Sequence, residues 1–243
     1  MTIEVTWLGH STWWIETEET RILLDPFIDD NPAANVVSTS LNPTHILISH
    51  GHFDHIADAA EIARRTNAVV LSNYEIAIWL ESKHGVKGCI GMNLGGRTHL
   101  PFGTIQFTPA VHSSSMPEGS YGGACGGFLR GFKDTAENAS NVAPTYNLYY
   151  TGDTALFSDL KLIARNGVDC LIVPIGDLYT MGPDESIEAI EMIRPKMVLP
   201  THYNTWPPIA QDPTAWVSAV HKRTSAKAIA PKVNTVLQLE KMV

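Results

Sequence analysis

The sequence predicts an α/β protein, an αββα sandwich of two mixed β-sheets packed face to face and flanked by helices. Two observations point there: strand-like runs open each half of the chain with helical runs following them, and no Gly-x-Gly-x-x-Gly follows the first strand, as a doubly wound sheet would require. With 243 residues, 44% of them apolar, the chain can bury a sizeable core at the upper end of single-domain lengths, so residues 1–243 are expected to form one domain.

Ile3, Val5 and Trp7 alternate on one face, Trp13 and Ile15 continue the pattern, and residues 21–24 end at Asp25-Pro26, so three strands open the chain. Residues 45–49 form a short β-branched run that stops at a dense polar cluster, which is how a buried strand delivers side chains to a sheet edge. Apolar residues recur at helical spacing over 57–66 and 74–84, with a strand over 68–71 between them. Residues 98–111, 126–132 and 146–151 read as further strands. Then come a helix over 155–166 stopped by Gly167, a strand over 170–173 and a helix over 184–193 halted before Pro195. A strand over 197–200, a helix over 213–224 and closing strands within 227–239 complete the order. Residues 113–125 and 133–144 fit neither pattern, and long irregular loops in compact domains are usually functional or disordered. The first follows His112 and is read as a rim over a site; the second is read as a solvated hairpin excursion.

The formal charge of −8, with 25 acidic against 17 basic residues and no lysine or arginine stripe, argues against nucleic acid as a partner. Three cysteines without Cys-x-x-Cys spacing indicate neither a disulfide framework nor a structural zinc knuckle, and a reducing cytoplasm fits them. No basic leader and no apolar run of membrane-spanning length is seen, so the expectation is a cytoplasmic protein without a membrane partner, acting on a small-molecule substrate. A second copy of the chain, in a homo-oligomer, is compatible with this reading.

The chemistry begins at His50-Gly51-His52-Phe53-Asp54-His55, where three histidines and an aspartate fall within six residues. A lone histidine is usually a core or surface residue, but convergent imidazoles and carboxylates are what a metal requires. His50 and His52, two apart in an extended turn, point the same way, while Asp54 and His55 curl back from the following helix. One ion cannot easily take both pairs, so two ions with distant partners are expected. Three candidates follow apolar runs: His112, Asp153 and His202.

His-x-His-x-Asp-His, followed by a lone His, a Gly-Asp and a last His, resembles the ordered motifs of the metallo-β-lactamase superfamily. More narrowly, Trp7-Leu-Gly-His-Ser11, Leu24-Asp-Pro26, Thr151-Gly-Asp-Thr154, Pro174-Ile-Gly176, Met181-Gly-Pro183 and Pro200-Thr-His-Tyr-Asn-Thr205 resemble the small bacterial metal-dependent hydrolases of the UPF0173 type, related to the ascorbate-6-phosphate lactonases. The match spans nearly the whole chain. The resemblance implies His50, His52 and His112 on a first metal, Asp54, His55 and His202 on a second, and Asp153 bridging them. Flavin-coupled di-iron relatives carry Glu where this chain has His52, and class B β-lactamases usually carry Cys where Asp153 stands; neither substitution is present. Asp177 departs from the small residue more common there in the subgroup.

Two such metals lower the pKa of a shared water and polarise the scissile group, and Asp54 is the expected acceptor that orients the attacking water. The expected activity is hydrolysis of an ester-like bond (lactone, phosphodiester or thioester); a metal-dependent oxidoreductase or dioxygenase on the same fold is the alternative. Zinc suits the imidazole-rich set, with Mn2+ or Fe2+ able to use the same ligands. His10 is either an additional catalytic group, as substrate-facing donor or leaving-group acid, or a turn-capping residue. Asp25 is expected to support a ligand histidine, Trp206 to shape a pocket wall, and Tyr203 to line the pocket or fill the core. Cys125 has no paired base and is rejected as a nucleophile.

Overall fold

The two sheets repeat one plan, an antiparallel meander extended by parallel strands. In the first, β1 (Ile3–Gly9), β2 (Thr12–Glu16) and β3 (Arg21–Leu24) are antiparallel, and β4 (His45–Leu47), β5 (Val69–Asn73) and β6 (Cys89–Met92) continue in parallel. Parallel neighbours need crossovers: a loop with a 3-10 turn (Ser38–Ser40) joins β3 to β4, α1 (Phe53–Ile56) and α2 (Ala59–Thr66) join β4 to β5, and α3 (Tyr74–His84) joins β5 to β6. In the second sheet β7 (Arg97–Leu100), β8 (Gly103–Pro109), β9 (Gly126–Phe132) and β10 (Tyr146–Tyr150) are antiparallel. Then β11 (Cys170–Pro174), β12 (Met197–Thr201) and β13 (Lys227–Ala228) add in parallel, connected through α4 (Leu160–Ile163), α5 (Pro183–Ile193) and α6 (Pro213–Arg223). β14 (Val236–Leu239) returns to pair with β1, giving orders β14-β1-β2-β3-β4-β5-β6 and β13-β12-β11-β10-β9-β8-β7. This computed structural model describes residues 2–132 and 146–239, so the expected excursion over 133–144 lies outside the described residues.

Period-two alternation decides the packing. Ile22, Leu24, Leu47 and Leu71 face the second sheet and join Phe107, Phe128 and Ile172 in one core. Their neighbours Leu23, Ile46 and Val70 point the other way, onto Ile62 and Ala63 of α2 and Ile76 and Leu80 of α3. Both faces are buried, which is why these strands read as continuous apolar runs. On the outer face of the second sheet, Trp216 of α6 is buried and donates from Nε1 to Ser186 Oγ of α5 at 2.8 Å. Among the described residues no helix is long and apolar enough to cross a membrane.

Several boundaries differ from expectation for identifiable reasons. The strand expected to Ser49 ends at Leu47, because the Ser49 amide turns to Asp25 Oδ1 at 2.7 Å. The helix expected over 57–66 is broken at Ala57 and Asp58, where the Asp58 carboxylate accepts the Ile28 amide at 2.6 Å. The helix expected over 155–166 is reduced to α4 and a 3-10 turn, since the Ala155 amide is taken by Val111 O at 3.0 Å. β6, a short edge strand containing Gly91, is not among the sequence-assigned strands. The closing strands β13 and β14 belong to different sheets, a choice that chain order cannot express.

One charge interrupts the core. Arg130 of β9 is 1% exposed, its guanidinium carbon lying 3.3 Å from the ring centroid of Phe132 and 4.5 Å from that of Phe102. None of its side-chain nitrogens has a hydrogen-bond partner among the described residues, and burial pushes its pKa well below the usual arginine value.

Candidate metal centre

Five strands end at one place: His10 follows β1, His50 to His55 follow β4, His112 follows β8, Asp153 follows β10 and His202 follows β12. Their donor atoms fall into two groups, His50 with His52 and His112, and Asp54 with His55, His202 and His10; within each group these atoms lie within 4.8 Å of one another. Asp153 stands between the groups, with Oδ2 at 3.0 Å from His202 Nε2, 3.3 Å from His55 Nε2 and 3.8 Å from His112 Nε2.

These residues fit divalent cations. Asp153 Oδ1 is buried and finds no hydrogen-bond partner among the described residues, which is costly unless something else is ligated there. Burial, reinforced by His55, keeps His50 well below 6.5, and burial likewise lowers His52 and His112, so all three are neutral imidazoles able to ligate. His55 is opposite: burial works to lower it, but Asp153, Asp54 and Asp25 together raise it well above 6.5. Burial works to raise Asp54 and Asp153, but the surrounding histidines outweigh it and hold both below the usual carboxylate range. The proton drawn to His55 thus marks an excess of negative charge that a cation would neutralise.

A third cluster of Asp25, His50 and His55 has another task. Asp25 Oδ2 accepts from Ser49 Oγ at 2.6 Å, His55 Nδ1 at 2.7 Å and Tyr150 OH at 2.5 Å, while Oδ1 accepts the Ser49 amide. Because the Ser49 hydroxyl donates to Asp25, it accepts from His50 Nδ1 at 2.9 Å. One carboxylate therefore fixes Nδ1 as the donor of both His50 and His55, so that a metal would meet Nε2 of each and displace the extra proton from His55.

The backbone is tense where it serves these side chains. His10, Asp25 and His202 adopt φ of 53°, 40° and 55°, left-handed values uncommon outside glycine. The His10 carbonyl holds that arrangement by accepting from Trp7 Nε1 at 2.9 Å, Thr201 Oγ1 at 2.7 Å and the His202 amide at 3.1 Å. Before Asp153, Gly152 has φ of 65°, and a Cβ there would lie 2.3 Å from Gly126 O.

His10 is fully buried, with Nε2 2.9 Å from Asp54 Oδ2 and Nδ1 2.8 Å from Thr205 Oγ1. Burial first, then His202, lowers it to about 4 despite Asp54. It reaches the pocket only through Asp54. The pocket, about 610 Å³, has His52, Asp54, His112, Asp153 and His202 among its lining. Ser113, Ser115, Met116 and Pro117 of the 113–125 loop line it, as does Trp206. Tyr203 instead stacks on Trp7 at 4.9 Å and is buried. Cys125 is buried against Asp153 O, and burial, then Asp153, pushes its thiol well above 9. Asp177 is exposed in a turn whose amide bonds Met181 O.

Sequence reading did not single out Phe53 and Tyr179 as pocket walls, or Tyr150, Ser49 and Thr205 as supports. Phe53 had a signal in its place between two polar residues, His52 and Asp54. Tyr150 had none, being one more aromatic in a buried strand.

Residues 20–203 match the family described as Beta-lactamase superfamily domain. The UPF0173 metal-dependent hydrolase of Methylacidiphilum infernorum is 45% identical over 212 residues, covering 86% of this chain and 88% of its own. That of Thermus thermophilus is 40% identical over 238 residues, covering 98% and 100%. Among solved structures, Igni18, a metallo hydrolase of the archaeon Ignicoccus hospitalis, matches with a TM-score of 0.86 at 31% identity over 100% of both chains.

Proposed function

The chain belongs to the Beta-lactamase superfamily domain family and within it to the UPF0173 metal-dependent hydrolases, and on that basis we propose that a dinuclear centre in this metal-dependent hydrolase cleaves an ester-like bond, whether lactone, phosphodiester or thioester. The observation that carries this reading is the division of the donor atoms into two groups with Asp153 Oδ2 between them. His50, His52 and His112 would hold one ion, Asp54, His55 and His202 the other, and Asp153 both. Zinc suits this set, with Mn2+ or Fe2+ as alternatives.

Bound there, two divalent ions would lower the pKa of a shared water towards neutrality and polarise the scissile oxygen. The protein supplies direction. Asp54, 13% exposed at its side chain against 3% for Asp153, is the more accessible of the two carboxylates lining the pocket and can accept a hydrogen bond that orients the attacking water. His10 donates from Nε2 to Asp54 when Thr205 donates to Nδ1, so it is a positioning residue for that carboxylate. The oxidoreductase alternative has less support, because His52 replaces the Glu of the di-iron relatives.

The test is elemental analysis of purified protein alongside a screen of lactones, thioesters and bis(4-nitrophenyl) phosphate. The expected result is about two ions per chain, with activity lost in Asp153→Ala; Asp54→Ala, at full metal loading, should lower turnover by about a hundredfold or more. One ion per chain, or unchanged turnover in fully loaded Asp54→Ala, would refute the corresponding assignment. A redox-active iron signal would favour the oxidoreductase.

A further inference from the structure

Among the described residues, those lining the pocket beside the metal-ligating cluster include no lysine or arginine. Its walls are aromatic at Phe53, Tyr179 and Trp206 and aliphatic at Met116 and Pro117, with the hydroxyls of Ser113 and Ser115 between. Phe53 and Tyr179 are each 55% exposed and line the same pocket as Trp206, so their rings are open to a ligand there. Phe53 is also held in place: its ring lies 5.8 Å from Phe27 and 6.0 Å from Trp206. The segments that surround the centre, 49–56, 110–125, 152–159, 175–182 and 202–212, contain no lysine or arginine, yet they carry Glu118, Asp159, Asp177 and Asp212 in addition to Asp54 and Asp153.

Resting on the hydrolase reading above, we infer that the substrate is an uncharged carboxylic ester, lactone or thioester whose acyl or aryl portion is apolar and lies on Phe53, Tyr179 and Trp206. Among the described residues lining the pocket, a phosphate or carboxylate carried away from the reacting bond would meet no guanidinium or ammonium group to replace its water. A cavity of about 610 Å³ falls in the range that encloses a small organic molecule, so it accepts far more than an acetyl group. In the reaction, water adds across the acyl C–O or C–S bond: its hydroxyl bonds to the acyl carbon, and its other proton ends on the departing oxygen or sulfur.

The experiment compares 4-nitrophenyl acetate, butyrate and hexanoate with the 4-nitrophenyl monoester of adipic acid, which matches hexanoate in chain length but ends in a carboxylate. Bis(4-nitrophenyl) phosphate is included, and all are assayed with metal-loaded protein of measured metal content. The expected kcat/KM rises by roughly tenfold or more from acetate to hexanoate and falls by a similar factor for the adipate monoester. Trp206→Ala and, separately, Tyr179→Ala should each lower the hexanoate-to-acetate ratio by about fivefold. Calorimetry gives a readout independent of turnover: N-benzylhexanamide, a neutral uncleaved isostere, should bind more tightly than its ω-carboxylate counterpart and more weakly to Tyr179→Ala. Hydrolysis without chain-length preference, an equal or better rate on the adipate monoester, or a preference for the phosphodiester overturns the inference and leaves the hydrolase reading standing. If no compound is hydrolysed, that reading fails, while the calorimetric comparison still decides whether the walls select neutral apolar ligands.

Discussion

Tyr150 and Ser49 act on the metal-ligating cluster through Asp25. With three donors on Oδ2 and an amide on Oδ1, Asp25 is held in one orientation, and it in turn orients His50 and His55. Outer hydrogen bonds of this kind are worth about 10–100-fold in metal affinity. Tyr150→Phe keeps the buried ring and removes only the shortest of those bonds, so zinc affinity measured by chelator competition should fall by about tenfold or more. An unchanged affinity would show that Asp25 is held without it.

At the scale of the element, the loops after the strands carry the demands of the site. Gly152, between β10 and Asp153, combines a left-handed φ of 65° with the approach of Gly126 O to 2.3 Å from where a Cβ would sit. Gly152→Ala should displace Asp153, and the expected outcome is loss of bound metal by elemental analysis while circular dichroism still reports both helix and strand. β9 makes the opposite case, where a buried guanidinium meets two rings but no hydrogen-bond acceptor among the described residues. Arg130 gains about 2 kcal/mol from each desolvated ring at best, whereas an unpaired buried ion costs several. Arg130→Met should therefore raise stability, by about 1 kcal/mol or more, read as a higher urea midpoint at unchanged slope. A lower midpoint would mean that the stacked guanidinium is a net source of stability.

At the scale of the whole molecule, the fold separates its pH responses. His45, at the start of β4, sits near Arg130 and edge-on to Phe102 at 4.7 Å, and burial followed by Arg130 lowers it from 6.5 to about 4. Between those values the unfolded chain holds a proton that the folded chain does not, so stability increases as pH rises from about 4 to 6.5 and is fully present above 6.5. His45→Gln should remove up to one proton's worth of that slope, measured by urea unfolding at a series of pH values against the parent chain. The same slope in both proteins would exclude His45 as its source.

Much of this was legible because it is local. His50, His52, Asp54 and His55 lie within one turn of chain, strand alternation recurs every two residues, and the helix over 74–84 has the bounds that its apolar spacing predicts. Those periodicities depend only on backbone geometry, so the chain itself determined two sheets, their helices and the kind of chemistry their ends can host. The tertiary structure decided what depends on distance rather than order: that β13 and β14 close different sheets, that Asp25 joins His50 to His55 through Ser49 and Tyr150, and that His10 points at Asp54 instead of the pocket. The physical reason is that a hydrogen bond between residues 125 apart, as from Tyr150 to Asp25, leaves no periodic trace in either segment, and its geometry exists only once both sheets have packed.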